Sequence, residues 1–165
     1  MTEAHRGPGS DDDRLRVVFD LEPEDGWPPA RSEQLWAVRV GEDRARLDNI
    51  PFFARGYALG DVVVIAPEED GTQWVRKVVE YSDNCTIRIL PEENDGQAEA
   101  RQAVLETFAP FGVEAEIIEQ FGLVALNVPS SVDIEAVKRL ILKGAEEGRW
   151  AYEEGCVTSQ WRAAG

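Results

Sequence analysis

Residues 113–128, Val-Glu-Ala-Glu-Ile-Ile-Glu-Gln-Phe-Gly-Leu-Val-Ala-Leu-Asn-Val, decide the fold. Residues 113–119 and 123–128 are rich in branched apolar side chains and read as strands. Gln120-Phe121-Gly122 between them reads as the turn of a hairpin. On each side of this hairpin the apolar period changes from strand to helix. Residues 96–109 place Ala100, Ala103, Val104, Thr107 and Phe108 at helical spacing, and Phe111 continues the stripe past the break at Pro110. After Pro129, a second helix opens at Ser130 with Asp133 three residues on, a capping pair. Its buried stripe is Ile134, Val137, Leu140, Ile141 and Ala145. Adding a strand at 86–90 and a last one at 150–152 gives the order β-α-β-β-α-β. That order predicts a ferredoxin-like sandwich, with both helices on one face of an antiparallel sheet.

Upstream the pattern is different. Residues 15–21 alternate Leu15, Val17, Phe19 and Leu21 on one face, and residues 35–40 put Trp36, Val38 and Val40 on one face. A short strand follows at 44–47, then Val-Val-Val-Ile-Ala at 62–66. Asp70-Gly71 is a hairpin signal before a strand at 73–81. Short strands, tight turns and little helix predict a small β-barrel-like sheet. The expected fold class is therefore α+β. The expected domains are an acidic disordered tail over 1–13, a small β-barrel-like domain over 14–82 and a ferredoxin-like domain over 83–165. The joint is expected between Tyr81 and Thr86.

At 165 residues the chain is long enough for one ordinary domain or two small ones. It carries 17 Lys+Arg against 32 Asp+Glu, a formal net charge of -15. The three regions hold -3, -4 and -8 in chain order. Such a charge argues against an electrostatic nucleic-acid footprint and against binding an anionic membrane. There is no apolar run near the length of a membrane span and no signal-peptide profile, so a cytoplasmic location is expected. Cys85 and Cys156 form no paired motif and read as reduced thiols.

Catalytic patterns are scarce. The single histidine, His5, lies in the expected tail, which removes the imidazole base of a Ser-His-Asp or Cys-His arrangement. No clustered Cys and His suggest zinc, and no phosphate loop occurs. Gly56 and Gly60 are spaced like half of such a loop, but Asp61 stands where a lysine would help. The acidic runs at 68–70, 92–95 and 146–147 sit at turns and helix ends, where water is plentiful. Those at 92–95 also favour the start of the following helix. Asp70-Gly71 lacks the ligand spacing of a calcium loop. No catalytic residue, metal or cofactor is expected.

Two features remain. Arg39, Arg44, Arg46, Arg55, Arg76 and Arg88 fall mostly in or beside predicted strands. Guanidinium forks bind carboxylates and phosphates, although pairing with the surplus of Asp and Glu is the plainer reading. The second is residues 48–56, Asp-Asn-Ile-Pro-Phe-Phe-Ala-Arg-Gly. Adjacent aromatics between Pro and Arg suit a recognition lip; the alternative is that Phe52 or Phe53 plugs the bottom of the barrel. The candidate binding residues are Asp48, Asn49, Phe52, Phe53, Arg55 and Asp61.

Residues 35–37, residues 47–56 and the Gly60-Asp61-Val62-Val63 string resemble a bacterial family known only as domain of unknown function 4265. The resemblance runs from about residue 15 to residue 150 and implies a shared fold without a known activity. In that family a Ser-Gly-His-Ser-Thr-like stretch precedes the strand after the barrel. Here it reads Ser82-Asp83-Asn84-Cys85-Thr86, so the histidine is missing.

The expectation that follows is a non-catalytic module binding a protein or peptide, with an immunity or accessory role as one form of it. The net negative charge would suit a basic partner. The alternative is a small-ligand binder or enzyme with a polar and aromatic pocket between the two domains.

Overall fold

The computed structural model describes residues 13–92 and 97–165. His5, the tail up to residue 12, Glu93, Asn94, Asp95 and Gly96 lie outside the described residues. The chain is α+β, with two sheets and three α-helices among the described residues. It divides into two compact units. One comprises residues up to Asn49 together with Gly60–Ser82, and the other comprises Ile50–Leu59 and Asp83–Gly165.

The first unit is a closed barrel of five strands. These are β1 (Arg14–Asp20), β2 (Ser32–Gly41), β3 (Arg44–Leu47), β4 (Val62–Pro67) and β5 (Gln73–Glu80). Neighbours pair antiparallel from β1 to β5. The barrel closes where β1 meets β5 in parallel, in register at Val17↔Gln73 and Val18↔Trp74. Strand alternation sets the interior. Val17, Phe19, Leu35, Ala37, Ala45, Leu47, Val63 and Ile65 are buried. Trp36, Val38 and Val40 do share a face, but it is the outer one. The inward positions of β2 are Leu35 and Ala37, because a narrow interior takes a small side chain more readily than an indole. The Asp70-Gly71 hairpin joins β4 to β5 as its sequence predicts.

The second unit has a four-stranded antiparallel sheet in the order β7-β8-β6-β9. The strands are β6 (Cys85–Pro91), β7 (Glu114–Ile118), β8 (Leu123–Val128) and β9 (Trp150–Cys156). Helices α1 (Gln97–Phe108) and α2 (Ile134–Glu146) supply Val104, Phe108, Ile134, Val137 and Ile141 to a core with Ile87, Ile89, Val124, Leu126 and Trp150. Gly144 lets the Trp150 indole lie on α2, since a Cβ there would overlap the ring. The indole Nε1–H donates to the Ile141 carbonyl at 3.0 Å.

Three expectations for this unit need correction. The second helix begins at Ile134 rather than Ser130. Asp133 is itself the N-cap, accepting from the Ala136 N–H at 3.1 Å. The last strand continues to Cys156, because β6 offers it partners as far as Thr86. A short helix α3 (Ser159–Ala163), with Thr158 as its cap and Trp161 buried, was not expected. Both cysteines are free. No helix among the described residues is long and apolar enough to cross a membrane.

Candidate functional site

Ile50–Leu59 connects β3 to β4 of the barrel in sequence, yet it clusters with the second unit. It therefore does not belong to a continuous 14–82 domain. The reason lies in β6. Cys85, Ile87 and Ile89 point into the helix-covered core, so Asn84, Thr86 and Arg88 share the opposite face. Each of the three donates to a main-chain carbonyl of the Ile50–Leu59 segment. Asn84 Nδ2 donates to the Leu59 carbonyl at 2.7 Å, Thr86 Oγ1 to that of Tyr57 at 3.1 Å, and Arg88 Nη2 to that of Ala54. The segment is a strap running antiparallel to β6 across the sheet face that the helices leave uncovered.

Further ties come from the two outer strands of the sheet, β7 and β9. The Ile50 N–H donates to Glu116 Oε2 on β7 at 2.9 Å, and the Gly56 N–H to the Gly155 carbonyl on β9 at 2.8 Å. Phe53 is buried and meets Phe121 edge to face, with ring centroids 5.5 Å apart. It thus packs against the second unit's own Phe121. At the centre is Arg88, 1% exposed. Glu153 on β9 takes two arginines on its two oxygens: Arg88 Nη1 at 2.8 Å on Oε1 and Arg55 Nη2 at 2.5 Å on Oε2. Gly155 makes room for this, because a Cβ there would overlap the Arg88 guanidinium.

The six sequence candidates are thus divided. Phe52, Phe53 and Arg55 lie on the strap; Phe52 is half-buried, and the Arg55 side chain is 68% exposed. Asp48, Asn49 and Asp61 lie in the barrel unit. Asn49 Oδ1 accepts from the Trp36 N–H, and the Asp48 N–H donates to the Trp36 carbonyl, both at 2.8 Å. These bonds extend the β2–β3 pairing past Leu47. Asp61 is buried and its Oδ1 accepts from the Ser82 N–H at 2.8 Å. Asn84 stands where the family resemblance implies a histidine; its bond to the Leu59 carbonyl is one that a ring N–H can also make.

Sequence reasoning missed Thr86, Glu116, Glu153 and Gly155, and it gave Arg88 no special place. One signal was present: Asn84, Thr86 and Arg88 alternate with buried apolar residues in β6, and a polar face of this kind needs either water or a covering chain. It also missed the outer face of the barrel. The Arg14 and Arg16 guanidinium carbons lie 4.3 and 4.7 Å from the Trp36 ring centroid. Arg16 Nη1 donates to Gln34 Oε1 at 3.1 Å, and Arg14 lies 3.8 Å from Asp48. An open groove of about 470 Å3 lies along this barrel, lined in part by Arg16, Gln34 and Arg39. Of the other strand arginines, Arg44 lies 3.9 Å from Asp43, and Arg39 Nη1 donates to the Glu42 carbonyl at 2.6 Å. A second hollow of about 460 Å3 lies on α2, where Glu135, Lys138, Arg139, Lys143 and Glu146 mix their signs. Lys138 Nζ is held there by the Trp161 and Ala164 carbonyls. Among the described residues no group of three His, Cys, Asp or Glu is placed to hold a metal ion.

Chemically, the strap network is closed. Its hydrogen bonds run to main-chain carbonyls and one shared carboxylate, and its central guanidinium is 1% exposed. The barrel face is the reverse, with arginines and an aromatic ring at the surface.

No curated protein matches this sequence. A crystal structure of a hypothetical protein from Neisseria gonorrhoeae is similar in fold, with a TM-score of 0.66. The two are 17% identical, and the match covers 87% of this chain and 95% of that one. At that identity the likeness speaks for the fold alone. The model of the family described as Domain of unknown function (DUF4265) matches residues 33–152, which take in the whole strap and Arg88 but stop within β9, short of Glu153 and Gly155. The match spans well over half of the sequence, and the chain belongs to the DUF4265 family.

Proposed function

We propose that this chain is a non-catalytic module that binds a protein or peptide, and that the outer face of β1 and β2 is its recognition surface. One observation carries this reading: Trp36 lies beneath the guanidinium groups of Arg14 and Arg16 at the surface of the barrel. Trp and Arg dominate binding hot spots, where they combine apolar area with forked donors. Stacking holds the two arginines in place before any partner arrives, which lowers the entropy cost of using them. We further propose that the second unit is ferredoxin-like. Its element order β6-α1-β7-β8-α2-β9 and strand order β7-β8-β6-β9 support that description.

Affinity capture from lysate tests the binding reading, using the full chain and its Arg14→Ala/Arg16→Ala/Trp36→Ala variant at low and moderate salt. A specific partner retained by the parent chain and lost by the folded variant is the expected result. No partner in either salt condition overturns the reading.

A further inference from the structure

The barrel closes through a short seam, and the groove lies beside it. The parallel ladder between β1 and β5 begins at Val17↔Gln73. Residues 14–16 of β1 precede it. Continuing the register backwards would set them against residues 70–72, but there the chain is in the β4–β5 turn, closed by the Glu68 N–H on the Thr72 carbonyl at 2.8 Å. β1 therefore extends past its ladder on the β5 side. The groove occupies that gap, walled by Leu15, Arg16, Val18 and Arg39 on one side and by Gly71 and Thr72 on the other.

Its charge runs against that of the molecule. The lining holds two arginines, Arg16 and Arg39, and one carboxylate, Asp70, in a chain of net charge -15. Asp70 is also turned to internal use, with Oδ1 accepting from the Thr72 N–H at 3.0 Å. Arg16 and Arg39 each make one hydrogen bond to a neutral oxygen, from Arg16 to Gln34 Oε1 and from Arg39 to the Glu42 carbonyl. A guanidinium has five N–H donors and gains most from a carboxylate. The global charge does not veto an acidic ligand here, because at about 0.15 M salt charges beyond roughly 8 Å are screened. Among the described residues the lining itself carries two positive charges against one negative.

Resting on the binding-module reading, we propose that this groove takes an extended acidic peptide from a partner protein, laid beside residues 14–16 as an added strand. Its carboxylates meet Arg16 and Arg39, and an apolar side chain on its other face meets Leu15. Strand addition supplies main-chain bonds, and the alternating side chains supply selectivity. Three residues of strand span about 10 Å, so the backbone contact is short and affinity depends on the two arginines.

The test uses the purified full chain and two labelled peptides, one alternating Glu and Val and one alternating Lys and Val, followed by fluorescence anisotropy. The Glu peptide is expected to bind more tightly than the Lys peptide. Arg16→Glu/Arg39→Glu should weaken the Glu peptide about tenfold or more and reverse the preference. Should that variant fail to fold, Arg16→Gln/Arg39→Gln carries the same expectation of loss, with folding checked by circular dichroism. Equal binding of the two peptides by the parent chain, tighter binding of the Lys peptide, or undiminished Glu-peptide binding by the folded Gln variant overturns the proposal. Lysate capture separates the two readings. A partner held equally by the parent and the Gln variant removes the acidic-peptide groove but leaves a binding module. No captured partner and no peptide binding remove both.

Discussion

Arg88 and Arg16 both lie on the first strand of their unit, and both share a face with alternate polar residues. Arg88 is sealed beneath the strap, held by Glu153 and the Ala54 carbonyl. Arg16 lies on an aromatic ring at the surface and takes a neutral amide as partner. One guanidinium is used to hold the chain together, while the other keeps most of its donors available. The difference teaches that residue type and strand position do not assign a role; what covers the strand face does. In the second unit that cover is ten residues of the protein's own backbone.

The sharpest way to break this comparison is Arg88→Ala. It leaves Glu153 without its buried partner and the Ala54 carbonyl without its donor. Glu153 keeps Arg55, so the loss is that of two hydrogen bonds from a charged group at about 1.5–3 kcal/mol each, about 3–6 kcal/mol together. Urea unfolding should show a loss in that range, and a loss below 1 kcal/mol would mean that the strap does not depend on Arg88. Next comes Gly155→Ala. In a strand interior this exchange ordinarily gains about 0.5–1 kcal/mol. Here the new methyl meets the Arg88 guanidinium, which is pinned between its partners and has nowhere to go. The sign should reverse, to a loss of about 1–3 kcal/mol. A stabilised Gly155→Ala protein would show that Arg88 is freer than its burial suggests.

Arg55→Ala sharpens the same contrast on one carboxylate. Arg55 and Arg88 both reach Glu153, but the Arg55 side chain is 68% exposed and that of Arg88 is 1% exposed. An exposed ion pair contributes about 0–1 kcal/mol. The Arg55→Ala midpoint should therefore move far less than that of Arg88→Ala, although the distance to Glu153 is the shorter of the two. Equal losses would make distance, and not burial, the controlling variable.

How far the sequence discloses this arrangement follows the range of the interactions. The helices are legible because their stripes repeat within a few residues, as with Ile134, Val137 and Ile141. The Asp70-Gly71 hairpin is legible because a turn is local chemistry. The strap is not. Ile50 is held by Glu116 and Arg55 by Glu153, partners 66 and 98 residues away. Nothing in Ile-Pro-Phe-Phe-Ala-Arg-Gly says that its carbonyls will be bonded by a strand some thirty residues further along the chain. The outer face of β2 was ambiguous for a related reason. Trp36, Val38 and Val40 are more apolar than Leu35 and Ala37 together with Glu33, yet the barrel buries the latter set. Interior volume decided against hydrophobicity. Helix α3 was within reach, since Thr158 stands three residues before Trp161 and caps it.

The smallest effect concerns Asp70, a carboxylate of the barrel groove. The Thr72 backbone N–H, and after it the Thr72 hydroxyl, donate to the ionised carboxyl and lower its pKa below the ordinary value. The folded chain thus prefers the charged form. The sign follows from linkage: this stabilisation is complete above the unfolded carboxyl's pKa and is lost as pH falls through the lowered folded value. Asp70→Asn removes the titration but keeps an acceptor for the turn. Urea midpoints of the two proteins should differ slightly at neutral pH, and the gap should close as the medium is acidified through the carboxylate range. A gap that stays constant would mean that the bond from Thr72 does not distinguish the charged carboxylate from the amide. Among the described residues, the same substitution leaves Arg16 and Arg39 as the only charges lining the groove. In the acidic-peptide reading it should therefore tighten the Glu-Val peptide while barely moving stability. That pair of outcomes separates a surface charge that tunes binding from a buried one, such as Arg88, that holds the fold.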